Sequence, residues 1–204
     1  MHLKFHWPIL PLLLLSFVLW HAPLAAASDQ FTENSLETEV RFLAGRMGVP
    51  GDKIYQLVDS LKAAMAHPWF RSESKVRPVR GVMVFQSSEG GLIVKYMEGS
   101  GLVVFAPGGP SKVINLKAWS VGAQAGGSRT YGVGLFMGLA SPDLWAGEYS
   151  GNVRGATAAE YSTKGGTVWS KYDSQGLLQH HLYLATSGTG LSAGVGKGKL
   201  TIYP

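Results

Sequence analysis

From residue 79 to the C-terminus the chain consists of short apolar runs punctuated by glycine, and this pattern narrows the fold more than any other feature. Gly81 to Phe85, Leu92 to Met97, Leu102 to Ala106 and Lys112 to Leu116 are rich in Val, Ile, Leu and aromatic residues. Gly90-Gly91, Gly99-Ser100-Gly101 and Pro107-Gly108-Gly109-Pro110 separate them. Trp119 to Ala125, Tyr131 to Leu139, Thr167 to Tyr172, Leu178 to Ala185 and Lys199 to Tyr203 continue the series. Such spacing predicts antiparallel strands joined by tight turns. All 27 glycines lie beyond residue 27, more than turns alone require. Glycine inside a strand marks a bulge, a bend or a close backbone approach, so the expectation is a strongly curved, barrel-like sheet. Ser141 to Tyr149 reads as a short helix, with Ser141 as cap and Pro142 in the first turn.

Before residue 79 the period is helical. Leu36, Val40, Leu43 and Met47 recur at steps of four, three and four, which places them on one face. Asn34 is the expected cap, with Glu37 three residues on; Gly48 and Pro50 end the helix. A second helix is expected from Asp52, as cap, to Ala66, with Ile54, Leu57, Val58, Leu61 and Met65 as its stripe. Pro68 stops it, because the residue before proline is pushed out of the helical region. Residues 71–80 then form a basic connector. The fold class expected is α+β: N-terminal helices packed on a curved, mostly antiparallel, glycine-rich sheet. The divisions are a signal segment 1–27, a helical segment 28–78 and a β-rich part 79–204, the last two forming one globular unit.

The N-terminus has the three parts of a secretory signal. Lys4 is its positive charge, Leu12 to Trp20 its apolar run, and Ala25-Ala26-Ala27 its small-residue site, so cleavage is expected between Ala27 and Ser28. A spanning helix needs about 20 apolar residues, and Pro8, Pro11 and Pro23 crowd this one. The expected location is periplasmic or secreted. There is no cysteine, hence no lipid-bearing cysteine and no disulfide. The stabilising element must be a core, and 177 residues are enough to build one. With Lys4 removed, 17 basic residues face 13 acidic ones. This mild excess suits an anionic surface, and no long Lys/Arg run argues for nucleic acid.

No residue set forms a convincing catalytic or metal site. Gly190-Leu191-Ser192-Ala193-Gly194 matches the nucleophile-elbow string, but that motif needs a helix after it and a histidine later in the chain. Only strand-like residues follow Gly194, and none is histidine. His180 and His181, as strand neighbours, point to opposite faces; one surface and one half-buried histidine are expected, and His67 stands apart. No carboxylate or cysteine accompanies them at ligand spacing. Gly132-Val133-Gly134 lacks the third glycine of a dinucleotide loop, and Gly196-Lys197 lacks the upstream glycine of a P-loop. Glu148, Glu160 and Asp173 are scattered. No enzyme, cofactor or metal is expected.

The features that suit a membrane surface lie in and after the second helix. Lys53 and Lys62 flank its apolar stripe; Trp69 and Phe70 follow, then Arg71, Lys75, Arg77 and Arg80. Rings at headgroup level beside cations that meet phosphates describe an interfacial site. On periodicity alone, however, such a stripe more often covers the protein's own sheet.

The β-rich part resembles the SYLF domain, the lipid-binding module also called the Ysc84-like domain, over about 125 residues from Arg77 onward. Arg80-Gly81-Val82-Met83-Val84-Phe85 is similar to the family's "kGiaif" opening, and Gly90-Gly91-Leu92 precedes Gly99-Ser100-Gly101-Leu102 like its first glycine pair. Trp119-Ser120 precedes Gly122-Ala123-Gln124-Ala125-Gly126, near its "G-x-q-x-G". Gly190-Leu191-Ser192-Ala193-Gly194-Val195 with Gly198-Lys199-Leu200 resembles its closing motif. The family's Trp-Ser-x-Pro is altered, since Val121-Gly122 follows Ser120, and Gly126 to Thr130 suggests a divergent exported bacterial branch. The resemblance implies helices against a curved sheet and binding to phospholipid. The resulting expectation is a non-enzymatic envelope protein that binds anionic phospholipid, with an envelope protein partner as the alternative. A small outer-membrane barrel is disfavoured because most runs are shorter than the roughly 9–11 residues of a spanning strand.

Overall fold

The computed structural model describes residues 30–90, 94–121, 128–138, 146–157, 167–172, 175, 178–187 and 192–204. Three helices precede eight strands: α1 Glu33–Arg46, α2 Gly51–Ala66, α3 Pro68–Glu73, β1 Val79–Gly90, β2 Val94–Val104, β3 Lys112–Val121, β4 Ser128–Gly138, β5 Gly147–Thr157, β6 Thr167–Tyr172, β7 Leu178–Ser187 and β8 Ser192–Ile202. The expected α+β class is correct, and the sheet is a closed barrel in the order β1-β2-β3-β8-β5-β6-β7-β4. Every neighbouring pair is antiparallel. The seam between β5 and β6 is the shortest, with the register pairs Ser150–Ser170 and Gly151–Trp169 among the described residues.

The helix ends follow local chemistry. The cap of α1 is Thr32 rather than Asn34. Thr32 Oγ1 accepts from the Ser35 amide at 3.2 Å, and Ser35 Oγ accepts from the Thr32 amide at 2.8 Å, forming a reciprocal box two residues before the expected one. Gly48, at φ 68, ends the helix. The Val49 amide donates to Ala44 O and the Gly48 amide to Gly45 O, both at 3.0 Å, which is a Schellman closure. The second helix starts at Gly51, with Pro50 and not Asp52 in the capping place and no side-chain bond there. Pro68 ends α2 and also begins α3, whose last residues, 71–73, take the start of the connector expected over 71–80. His67 is extended, and its Nδ1 accepts from the Trp69 amide at 3.2 Å.

The extent of β2 differs from expectation. Gly99 and Gly101 lie inside β2, opposite Ser87 and Phe85 of β1. A Cβ on Gly99 would sit 2.6 Å from the Gln86 carbonyl oxygen and 2.9 Å from Ser87 Cβ. These glycines mark close strand approach instead of a turn, so two expected runs form one strand. The expected runs Lys112 to Leu116 and Trp119 to Ala125 also join, through Lys117 and Ala118, into β3 as far as Val121; residues 122–125 lie outside the described residues. The expected helix at Ser141 to Tyr149 is corrected at its end, because Gly147 to Tyr149 begin β5; residues 141–145 lie outside the described residues.

Side chains alternate in and out along each strand. The barrel interior holds Met83, Phe85, Val103, Ile114, Leu116, Phe136, Tyr149, Trp169, Leu182, Leu200 and Ile202. The opposite faces of β1, β4 and β7 present Val82, Val84, Val133, Leu135, Met137 and Tyr183 to the helices. Leu36, Val40, Leu43, Leu57, Val58 and Leu61 cover them, so the helical stripes serve the core. Glu39, buried at the edge of this layer, accepts from the Gly108 amide at 2.6 Å and ties α1 to the β2–β3 loop.

Candidate functional site

The barrel is a packed core among the described residues. Large and small residues oppose one another across it. Gly198 faces the benzo edge of Trp169, Gly132 faces the tip of Phe85, and Gly134 faces Met83, whose Cε would lie 2.7 Å from an added Cβ. Phe136 meets Phe105 at 5.3 Å and Tyr149 at 5.4 Å, both edge-on. An interior so filled directs attention to the outer surface.

The interior also holds polar side chains, with Ser87, Thr130 and His180 buried among the described residues. His180 is fully buried, 6.4 Å from the Tyr149 ring. The Lys171 ammonium lies 5.7 Å from that ring and donates to Ala146 O at 2.6 Å. Burial raises the Tyr149 hydroxyl pKa and lowers that of Lys171. The expectation for the histidine pair is half corrected. The two do point to opposite faces, but His180 is interior and His181 is covered by α3.

His181 belongs to a second cluster. Ser170 Oγ lies 3.1 Å from its Nδ1, and Glu73 Oε1 lies 3.7 Å from its Nε2. The order Ser-His-Glu suggests a nucleophile relay, but the geometry does not make one. At 3.7 Å the carboxylate does not accept a hydrogen bond, and it is ion-paired with Arg77. Burial lowers the His181 pKa, Arg77 adds to the effect, and Glu73 opposes it. Trp69 closes over the cluster, edge-on to His181 at 5.7 Å and stacked on Tyr183 at 5.4 Å. The group clamps α3 to β7. No group of three His, Cys, Asp or Glu side chains is arranged for a metal among the described residues.

The residues expected at a membrane surface do not converge. Phe70 is buried in the core and Trp69 is half-buried on Tyr183. Lys53 lies 3.7 Å from Asp52, Lys62 lies 3.2 Å from Glu37, and Arg77 pairs with Glu73. Glu37 also accepts from Arg41 at 2.8 Å, and these bonds lower its pKa, Arg41 first. Arg80 is half-buried in β1. Arg71 and Lys75 remain exposed, with Val76 beside them. Among the motif residues, Gly81, Gly99, Gly101, Trp119, Ser120, Gly194 and Gly198 are strand positions. Gly122, Gly126, Gly190, Ala27 and Ser28 lie outside the described residues.

A different surface combines exposed rings with cations. It is the outer face of β2, β3 and β8, across the barrel from the helices. Tyr96, Trp119 and Lys197 are register neighbours across three strands, and Glu98, Lys117 and Lys199 form the next row. Tyr96 is 66% exposed, Trp119 46% and Val121 50%. Lys117 lies 3.4 Å from Glu98, and Lys199 pairs with Glu148. Lys197 is exposed and makes no ion pair among the described residues. Trp119 stands out in the sequence only as a motif residue. The lysines escaped notice there because residues 75 or more apart in the chain become neighbours only through the β3–β8 register.

These orientations also bear on a membrane barrel. Most strands have 10–12 residues, so the argument from strand length fails. The pattern supplies a better one: apolar side chains fill the inside and lysines stand on the outside, the reverse of a lipid-facing barrel. No helix among the described residues is long and apolar enough to cross a membrane.

No family model matches the chain, and no curated protein does. Among solved structures, the virulence-associated protein VapD from the intracellular pathogen Rhodococcus equi is similar at 16% identity, over 61% of this chain and 99% of that one, with a TM-score of 0.36.

Proposed function

We propose that this chain is a non-enzymatic protein of the bacterial cell envelope that binds the surface of anionic phospholipid membranes. The observation that carries the reading is the division of labour in the barrel: a filled interior, and an exterior on which exposed rings adjoin lysines. Aromatic rings prefer the headgroup level, and each basic residue near an anionic surface contributes about 1 kcal/mol, screened by salt. The secretory pattern at residues 1–27 and the ordered glycine motifs that resemble the SYLF domain support the same reading.

Sedimentation of the purified protein with vesicles tests it. Binding is expected to phosphatidylglycerol vesicles and not to phosphatidylcholine vesicles, and it should fade as salt rises. Equal or absent binding to both would remove the proposal and leave an envelope protein partner as the reading to pursue.

A further inference from the structure

We infer that the membrane-contacting surface is the outer face of β2, β3 and β8, so the protein docks with its helical layer pointing away from the bilayer. This inference rests on the membrane-binding reading and names its site. The occupant is an anionic phospholipid surface.

The row pattern sets the chemistry. Strands lie about 4.8 Å apart and alternate residues about 7 Å apart along a strand. Tyr96, Trp119 and Lys197 thus form a line roughly 10 Å long, with Val121 extending the apolar side along β3. Lys117 and Lys199 stand one row away. Glu98 and Glu148 balance part of this charge, while Lys197 makes no ion pair among the described residues. The face therefore carries net positive charge beside exposed rings.

On the helical side the exposed rings sit beneath arginines: Phe42 and Tyr55 lie under Arg46 and Arg41, at 5.9 Å and 5.5 Å. Of the two arginines, Arg46 donates to Ser111 and Arg41 is held by Glu37. Arg71 and Lys75, which make no ion pair among the described residues, follow Trp69 and Phe70 in the chain, and those two rings pack on Tyr183. The β2–β3–β8 face differs in placing an exposed indole, Trp119, in line with Tyr96 and with Lys197, a cation that makes no ion pair among the described residues.

The chain has no cysteine, so a single introduced thiol can be labelled cleanly. Glu98→Cys places an environment-sensitive fluorophore on the proposed face, and Ser72→Cys places one on α3; both positions are exposed. With vesicles of phosphatidylglycerol and phosphatidylcholine in equal parts, the label at position 98 should shift to the blue and the label at 72 should not. In parallel, Lys117→Gln with Lys197→Gln should weaken binding by roughly thirtyfold, two lysines at the surface contribution of each. Arg71→Gln with Lys75→Gln should weaken it by less than about threefold. A blue shift at 72 alone, or the larger loss from the Arg71 and Lys75 pair, would overturn the inference while leaving membrane binding intact. Failure of the unaltered protein to bind would overturn both. A concentration-dependent dimer abolished by Trp119→Ser, with no binding to vesicles, would identify the face as a contact between copies of the chain and overturn the inference.

Discussion

Gly198 offers a direct test of the packed barrel. It has an ordinary negative φ, and it points inward in β8. A methyl group there would overlap Cζ2 and Cη2 of Trp169 and lie 3.2 Å from Cε2. Trp169 is 1% exposed, so the ring has nowhere to retreat. With no backbone penalty, Gly198→Ala should gain about 0.4–1 kcal/mol by restricting the unfolded chain. Overpacking should cost about 1–3 kcal/mol. The expected net loss is about 1–2 kcal/mol, from a total of roughly 5–15, or a fall in Tm of about 2–8 °C for a domain of this size. The assay is urea unfolding of four proteins: unaltered, G198A, W169F and the double variant. Phenylalanine ends short of the Cζ2–Cη2 edge, and it also removes a buried indole N–H that has no hydrogen-bond partner among the described residues. In the W169F background, G198A should therefore cost at least 0.5 kcal/mol less, a coupling in the usual range for residues in contact. An equal cost in both backgrounds would refute the reasoning, because it would mean that Gly198 and Trp169 do not share the space.

Two further outcomes follow from the helical layer. The folded protein holds His181 less basic than a free histidine. As pH falls, the unfolded chain takes up this proton first, so stability is intact above the unfolded value near 6.5 and declines below it toward the lower folded pKa. Thermal unfolding at about pH 7.5 and about pH 5.5 should show a larger drop for the unaltered protein than for His181→Gln; identical drops would exclude His181 as the source. Glu39→Ala should cost about 1.5–3 kcal/mol, because it removes a charged acceptor from the Gly108 amide. A loss below about 0.5 kcal/mol would show that solvent replaces the bond.

Much of the architecture is legible in the residues. The helical stripes of Leu36, Val40 and Leu43 and of Leu57, Val58 and Leu61 repeat with the helix period, and all six are buried against the barrel. Gly48 and Pro68 end their helices because glycine admits positive φ and proline constrains its predecessor. Other features are hidden. β5 is hidden because Gly147, Gly151 and Gly155 recur along it, so no apolar alternation is written there. Gly99 and Gly101 resemble a turn because a sequence does not say that another backbone passes within contact distance.

The sequence by itself determined the local matters: helix periods, the helix stops at Gly48 and Pro68, and a β-rich half too full of glycine for an ordinary open sheet, although the caps fell at Thr32 and Pro50 and not at Asn34 and Asp52. These depend on neighbours within a few residues, and the chain carries them openly. Only the tertiary structure decided which surfaces face which. Trp69 and Phe70 stand beside a basic run in the sequence, but Tyr183, more than a hundred residues later, holds both rings against the barrel. Tyr96, Trp119 and Lys197 are far apart in the chain and become one line through strand register. Register is set by the whole closed barrel, in which each strand fixes the next, and no single segment encodes it.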